Sequence, residues 1–258
     1  MNKEELNRIN KNVVKIIKQD REFLIEKMAG DFEVQKKTSR RDLVTSLDKL
    51  NQKKLKEELS EVLEANFLVE EGDAANNPVS TSGLIWVIDP IDGTLNFVKQ
   101  RDNFAVMIAL YEDGEPLLGY IIDVVQNILI AGGPDIGVTL NGKELQQPEN
   151  VSLVNGLVGL SGPMLAHNMF NFVSIQEASL GVRVIGSAGI EFMRVLLGKQ
   201  VAYVSNLHPW DFAAGRALAI ALDLMTTNLD GKAPNMLKSS VVLVATKKAH
   251  ADILDLMD

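Results

Sequence analysis

Apolar positions open the chain at helical spacing. Leu6, Ile9, Val13, Ile16, Ile17, Phe23 and Leu24 recur near a period of 3.6, which predicts an amphipathic helix over residues 4 to 29 with Gly30 as its stop. Residues 33 to 41 turn polar and basic and predict a loop or an exposed hairpin. A second helix is predicted from about Leu47 to Ala65, then a short buried strand, Phe67-Leu68-Val69, ending at Glu70-Glu71-Gly72. Residues 73 to 83, rich in Asn, Pro, Ser and Gly, predict a surface loop. A hydrophobic strand through Trp86-Val87-Ile88 follows. Phe104 to Tyr111, Leu117 to Val124 and Ile128 to Gly132 are then apolar runs separated by turn residues such as Asp113-Gly114, with Asn141-Gly142 a further turn signal. This pattern is an antiparallel meander.

From about Val151, strands (near 156 to 161, 182 to 186, 201 to 204, 223 to 227 and 240 to 246) alternate with helices (near 163 to 177, 188 to 198, 210 to 222 and 247 to 257). The expected organisation is two lobes: residues 1–145 as an N-terminal α+β lobe and 146–258 as a C-terminal α/β lobe.

The composition narrows the class. The 258 residues are 46% hydrophobic and 23% charged, enough for a substantial core in one large domain or two lobes. A net charge of −8 and a pI of about 5.0 argue against a nucleic-acid-binding surface. No apolar run reaches transmembrane length, and Met1-Asn2-Lys3-Glu4-Glu5-Leu6 lacks the basic-then-apolar pattern of a signal peptide. With no cysteine there is neither a disulfide nor thiolate chemistry. These features predict a cytoplasmic enzyme with no membrane or nucleic-acid partner.

The candidate chemistry centres on Trp86-Val87-Ile88-Asp89-Pro90-Ile91-Asp92-Gly93-Thr94-Leu95-Asn96-Phe97. The strand delivers Asp89 to a sheet edge, and Pro90, lacking an N–H, is expected to take the chain out of the ladder. Asp89 and Asp92 can then converge on one cation, while Gly93 and Thr94 offer backbone N–H groups to an anion. Asp48, Glu70 and Asp211 also sit at the ends of elements. Convergence of all five would make an all-oxygen site suited to Mg²⁺, Mn²⁺ or Ca²⁺. Each has a plainer reading alone: Asp-x-x-Asp as a solvated turn, Asp211 as a helix cap, Glu70-Glu71 as surface charge, and Ala213, Ala214 and Gly215 as close-packing residues.

The combination resembles a known family. Trp86 to Thr94 looks like the first signature of the inositol monophosphatases, within the lithium-sensitive, magnesium-dependent phosphatases, and Trp210-Asp211-Phe212-Ala213-Ala214-Gly215 looks like the second. Asp42-Leu43-Val44-Thr45-Ser46-Leu47-Asp48 and Phe67-Leu68-Val69-Glu70-Glu71 match two further motifs in order. The resemblance spans about residues 5 to 257. It implies a layered α-β-α-β-α sandwich, a homodimer, and a phosphomonoesterase holding two or three Mg²⁺ ions per subunit. It implies that Glu70, Asp89 and the carbonyl of Ile91 hold one Mg²⁺, that Asp89, Asp92 and Asp211 hold a second, and that Glu70 anchors a third mostly through water. Asp48 and Thr94 would orient and deprotonate the attacking water, with Glu70 beside them in the catalytic set. The N–H groups of Gly93 and Thr94 would bind phosphate.

Arg183-Val184-Ile185-Gly186-Ser187-Ala188-Gly189-Ile190-Glu191 resembles the segment that approaches the leaving group, placing Gly186, Ser187, Ala188 and Glu191, with Asp211, near the substrate. In the animal enzymes an acid seven places before the second-signature Asp contacts inositol. Here that count gives Val204, followed by Ser205 and Asn206. The substrate is therefore expected to be inositol monophosphate or a related small ester, with the 2′-phosphate of NADP, fructose 1,6-bisphosphate and adenosine bisphosphate as alternatives. A phosphate- or metal-binding regulatory protein is the non-enzyme alternative. The basic segment Lys36-Lys37-Thr38-Ser39-Arg40-Arg41 reads as solvated charge or as a lid, and His208 as structural.

Overall fold

The computed structural model describes residues 1–30, 32–36, 43–72 and 80–257. The basic segment lies largely outside them, as does most of the 73–83 loop. Helix α1 (Lys3–Met28) opens on a capping box between Asn2 and Glu5. Strands β1 (Val34–Lys36) and β2 (Leu43–Thr45) pair antiparallel and lead into α2 (Ser46–Val62).

A seven-stranded sheet follows, built among the described residues from β3 (Asn66–Val69), β4 (Leu84–Asp92), β5 (Ala105–Glu112), β6 (Glu115–Asp123), β7 (Ile128–Gly133), β8 (Gly137–Leu140) and β9 (Lys143–Glu144), in that spatial order. Only the β3–β4 pairing is parallel. A short helix, α3 (Thr94–Gln100), joins β4 to β5.

The rest of the chain alternates as its pattern predicts: β10 (Leu157–Leu160), α4 (Gly162–Ala166), α5 (Phe172–Ala178), β11 (Gly181–Arg183), α6 (Ala188–Leu196), β12 (Ala202–Leu207), α7 (Pro209–Ala221), β13 (Met225–Asn228), β14 (Ser240–Ala245) and α8 (Lys247–Asp255). Its sheet has the order β11-β10-β12-β14-β13.

The pleat explains the layering. In β4, Trp86 and Ile88 point to one side and join Leu6, Ile9, Val13 and Ile17 of α1 and Leu55 and Leu59 of α2. Ile85 and Val87 point to the other, into a core shared with Phe192 of α6 and Phe212, Ala213, Ala214 and Leu218 of α7. The same two helices pack on Tyr203, Val242 and Val244 of the smaller sheet. Beyond it, Phe172, Ile175, Ala249 and Ile253 cover Val158, Val204 and Leu243. The layers run α-β-α-β-α, as expected. No helix among the described residues is long and apolar enough to cross a membrane.

Two expectations need correction. The helix predicted over 163 to 177 is broken between α4 and α5, where Asn168, Phe170 and Asn171 take left-handed backbone angles. Pro90 does not end its strand. Asp89 pairs with Met107 and Asp92 with Ala105, so β4 carries one extra residue as a bulge. The bulge accommodates the missing N–H without ending the pairing.

Candidate active site

The bulge in β4 sets the site. It turns Asp89 and Asp92 toward the N-terminus of α7, and Asp89, Asp92 and Asp211 each bring a carboxylate oxygen to within 4.8 Å of one another. Ile91 is buried between them, and its N–H donates to Asp89 Oδ1 at 3.1 Å. Pro209 occupies the first turn of α7, and Asp211 Oδ2 accepts the His208 N–H at 2.8 Å, so this acid both caps its helix and joins the cluster. His208 stacks on Trp210 with ring centroids 4.8 Å apart. Glu70 follows β3, which runs parallel to β4, and its charge reaches the same cluster. Burial, then the charges of Glu70, Asp92 and Asp211, hold Asp89 well above the usual carboxylate range.

Asp92 lies against the start of α6. The N–H groups of Ala188 and Gly189 reach its two oxygens at 3.0 and 2.7 Å, and the Ser187 hydroxyl donates to Oδ2. These bonds oppose the effect of burial, which nevertheless pushes its carboxyl up to about 6. Gly93 has φ +87°, and a β-carbon there would stand 2.9 Å from that of Ser187. Glycine thus permits both the turn into α3 and the approach of the Ser187 segment.

One face of α2 serves three segments of the site. Asp48 forms a capping box with Thr45, and its Oδ1 lies 3.2 Å from Thr94 Oγ1, which is also 3.2 Å from the Ile91 carbonyl. Burial raises the Asp48 carboxyl, the bonds from Thr45 lower it and the charge of Glu70 raises it. Gln52 binds the backbone of Glu71, and Asn51 donates to the Pro90 carbonyl at 3.0 Å. Asn96 ties the Asn103 and Ile185 carbonyls together, at 2.9 Å each. Sequence reasoning missed Gln52, Asn51 and Asn96. It also treated the Glu pair as surface charge when considered alone, yet Glu71 is buried.

Next to the acids is a cleft of about 290 Å³, lined by Gly186, Ser187, Ala188 and Glu191 as well as Asp92 and Asp211. The carboxylate of Glu191 is engaged by Gln200 Nε2 at 2.7 Å and the Ile185 N–H at 3.2 Å, which ties it into the cleft wall. Burial raises its carboxyl above the ordinary value. The expected position of Val204 is wrong. Its side chain is fully buried on the far side of the smaller sheet, among Leu160, Leu243 and Ala249. Strand alternation instead turns Tyr203 and Ser205 to the cleft. Asn206 is exposed and does not line it.

A five-layer α/β sandwich with crowded carboxylates at a strand bulge and a helix N-terminus defines a metal-dependent phosphatase fold. The sequence profile of the inositol monophosphatase family matches residues 4–258, and the chain belongs to that family. It is 29% identical over 237 residues to the inositol-1-monophosphatase of Bacillus subtilis (strain 168), covering 90% of this chain and 89% of that one. It is also 29% identical over 211 residues to the fructose-1,6-bisphosphatase/inositol-1-monophosphatase of Thermotoga maritima, covering 81% and 80%. Among solved structures, an IMPase/NADP phosphatase complexed with Mg²⁺ and phosphate superposes with a TM-score of 0.90 at 30% identity, covering 97% of this chain and 95% of that one. The chain is a phosphoric monoester hydrolase.

Proposed function

We propose that the enzyme hydrolyses inositol monophosphate and related small phosphate esters, with Mg²⁺ held by Glu70, Asp89, Asp92, Asp211 and the Ile91 carbonyl. The observation that carries this reading is the convergence of Asp89, Asp92 and Asp211. The fit to Mg²⁺ is chemical. The donors are all oxygen, and Asp89 is driven well above its ordinary range by neighbours that a cation would neutralise. Bound Mg²⁺ would acidify a water and offset charge on the phosphate and the leaving oxygen.

The protein's own part is placement. Thr94 Oγ1, which lies between Asp48 Oδ1 and the Ile91 carbonyl, would orient the water and pass its proton to Asp48. The N–H groups of Gly93 and Thr94 bind the phosphate. Ser187, Ala188 and Ser205 face the leaving group. Water attacks phosphorus directly and no phosphoenzyme forms.

The cleft suits several esters. Glu191 is committed to Gln200 and Ile185, and Ser205 offers a neutral hydroxyl. The comparison is of kcat/KM for inositol 1-phosphate, fructose 1,6-bisphosphate, NADP and 2′-AMP, with Mg²⁺ and with EDTA. Mg²⁺-dependent release from more than one ester, inhibited by Li⁺, is expected. Turnover in EDTA defeats the metal reading, a preference above about 10³-fold for one ester defeats the breadth, and binding without turnover favours the regulatory alternative. We also carry over from the family a cytoplasmic homodimer, testable by light scattering as twice the 28.3 kDa chain mass.

A further inference from the structure

Two polar residues interrupt facing apolar stripes. In α1 the buried positions run Leu6, Ile9, Val13, Ile16, Ile17, Asp20 and Leu24. In α2, Asn51 occupies the place in the series Leu47, Leu55, Leu59 where helical spacing calls for a hydrophobe. Both are fully buried, and Asn51 Nδ2 lies 3.0 Å from Asp20 Oδ2. Burying such a pair is costly unless it is bonded, so its placement needs a reason.

The partners supply one. Asn51 Nδ2 also lies 3.0 Å from the Pro90 carbonyl, so its two hydrogens serve two acceptors. The opposite amide orientation would set Oδ1 against a carboxylate and a carbonyl, and Asp20 thereby fixes which end of Asn51 meets Pro90. Oδ1 itself has no partner among the described residues, a cost accepted for that orientation. Lys54 holds the other oxygen of Asp20 at 3.0 Å and Glu58 at 3.1 Å. The peptide joining Pro90 to Ile91 is planar, so its carbonyl and its N–H move together. Asn51 holds the carbonyl end, and Asp89 Oδ1 accepts from the N–H end at 3.1 Å.

We propose that Asp20 and Asn51 are positioning residues for the metal-binding turn, aiming the Asp89 carboxylate through the one peptide plane between Pro90 and Ile91. The proposal rests on the Mg²⁺ reading above. It assigns a task in the chemistry to α1, which contributes no group to the acidic cluster. Outer partners that orient metal ligands typically govern about 10–100-fold of metal affinity or activity.

The test uses the full chain and the metal alone. Mn²⁺ binding, followed by calorimetry without substrate, is compared in wild type, Asn51→Leu and Asp20→Asn, alongside the Mg²⁺ concentration giving half-maximal phosphate release. Both variants are expected to bind Mn²⁺ about tenfold or more weakly and to need correspondingly more Mg²⁺, while KM at saturating Mg²⁺ stays within about threefold. Asp20→Asn keeps the side-chain shape and so reports even if Asn51→Leu fails to fold. A folded variant with lower urea resistance but metal affinity and Mg²⁺ dependence within twofold of wild type overturns the proposal, making the pair a packing feature. Wild type that binds no Mn²⁺ overturns the metal reading itself.

Discussion

Gln52 grips the backbone of Glu71 from both sides, its Oε1 accepting the Glu71 N–H at 2.8 Å and its Nε2 donating to the Glu71 carbonyl. Glu71 adjoins Glu70, so the clamp fixes the stretch that brings Glu70 to the acidic cluster. Asp48 and Asn51 lie within one turn of Gln52, on the same buried face of α2. One helix thereby sets the spacing among the Thr94 hydroxyl, the Pro90 turn and the end of β3, and changes in the cluster should be felt as charge before they are felt as fold.

Asp89→Asn is therefore expected to remove turnover by at least about 10²–10³-fold, the scale of losing one group that stabilises charge in the transition state. The fold should survive. Repulsion from Glu70, Asp92 and Asp211 is relieved, so the urea midpoint in EDTA should equal or exceed that of wild type. Circular dichroism, denaturation and phosphate release measured on one preparation check this; near-wild-type turnover in a folded variant refutes the metal role.

Thr94→Ala should lower kcat by about 10²–10⁴-fold with little change in KM, because the hydroxyl lies between Asp48 and the Ile91 carbonyl, where the proposed mechanism moves a proton. Steady-state kinetics at saturating Mg²⁺ are the measurement. A defect confined to KM would make Thr94 a binding residue.

Val204 and Ser205 should respond oppositely to the same substitution. Val204→Glu buries a charge in the core under β12 and should cost several kcal/mol of stability, read as a collapse in melting temperature. Ser205→Glu places an acid on the cleft wall and should shift kcat/KM among esters in a folded protein. A folded, specificity-shifted Val204→Glu enzyme would contradict the strand alternation.

Asp20 should leave a signature in the pH dependence of stability. Burial pushes its carboxyl up to about 6 against the opposing effects of Lys54 and Asn51, from an ordinary value of 3.8. The folded state then binds the proton more tightly than the unfolded state. The resulting stabilisation is full below about pH 4 and is lost as pH rises through about 6, a change of roughly 3 kcal/mol. Asp20→Asn, measured in EDTA against wild type, should flatten the urea-midpoint profile over that window; parallel profiles would show that Asp20 does not titrate there.

Much of this was legible in the chain. Asp89 and Asp92 stand out because an apolar strand meets proline and glycine at their positions, and Asp211 because proline and tryptophan open an Ala-rich helix. The supporting residues are quieter. Asn51 and Asp20 register only as interruptions in stripes that still read as amphipathic helices, and nothing local says that the two interruptions face each other. Val204 was misplaced for another reason: counting back from Asp211 crosses the end of a strand, and a shift of one residue there exchanges core for cleft. The break between α4 and α5 rests on left-handed asparagines and a phenylalanine, which apolar periodicity does not register.

The layer of α6 and α7 between the two sheets also bears on synthesis. A chain under synthesis has made every strand of the larger sheet once Glu144 is added, yet the face later covered by Phe192 and Phe212 is bare, and α7 with Asp211 is still untranslated. The acids made so far include Asp89 and Asp92 but not the third corner of the triad. On the proposed metal reading, the cation site stays incomplete until translation reaches α7, so the nascent half exposes its apolar sheet face before it can hold a cation.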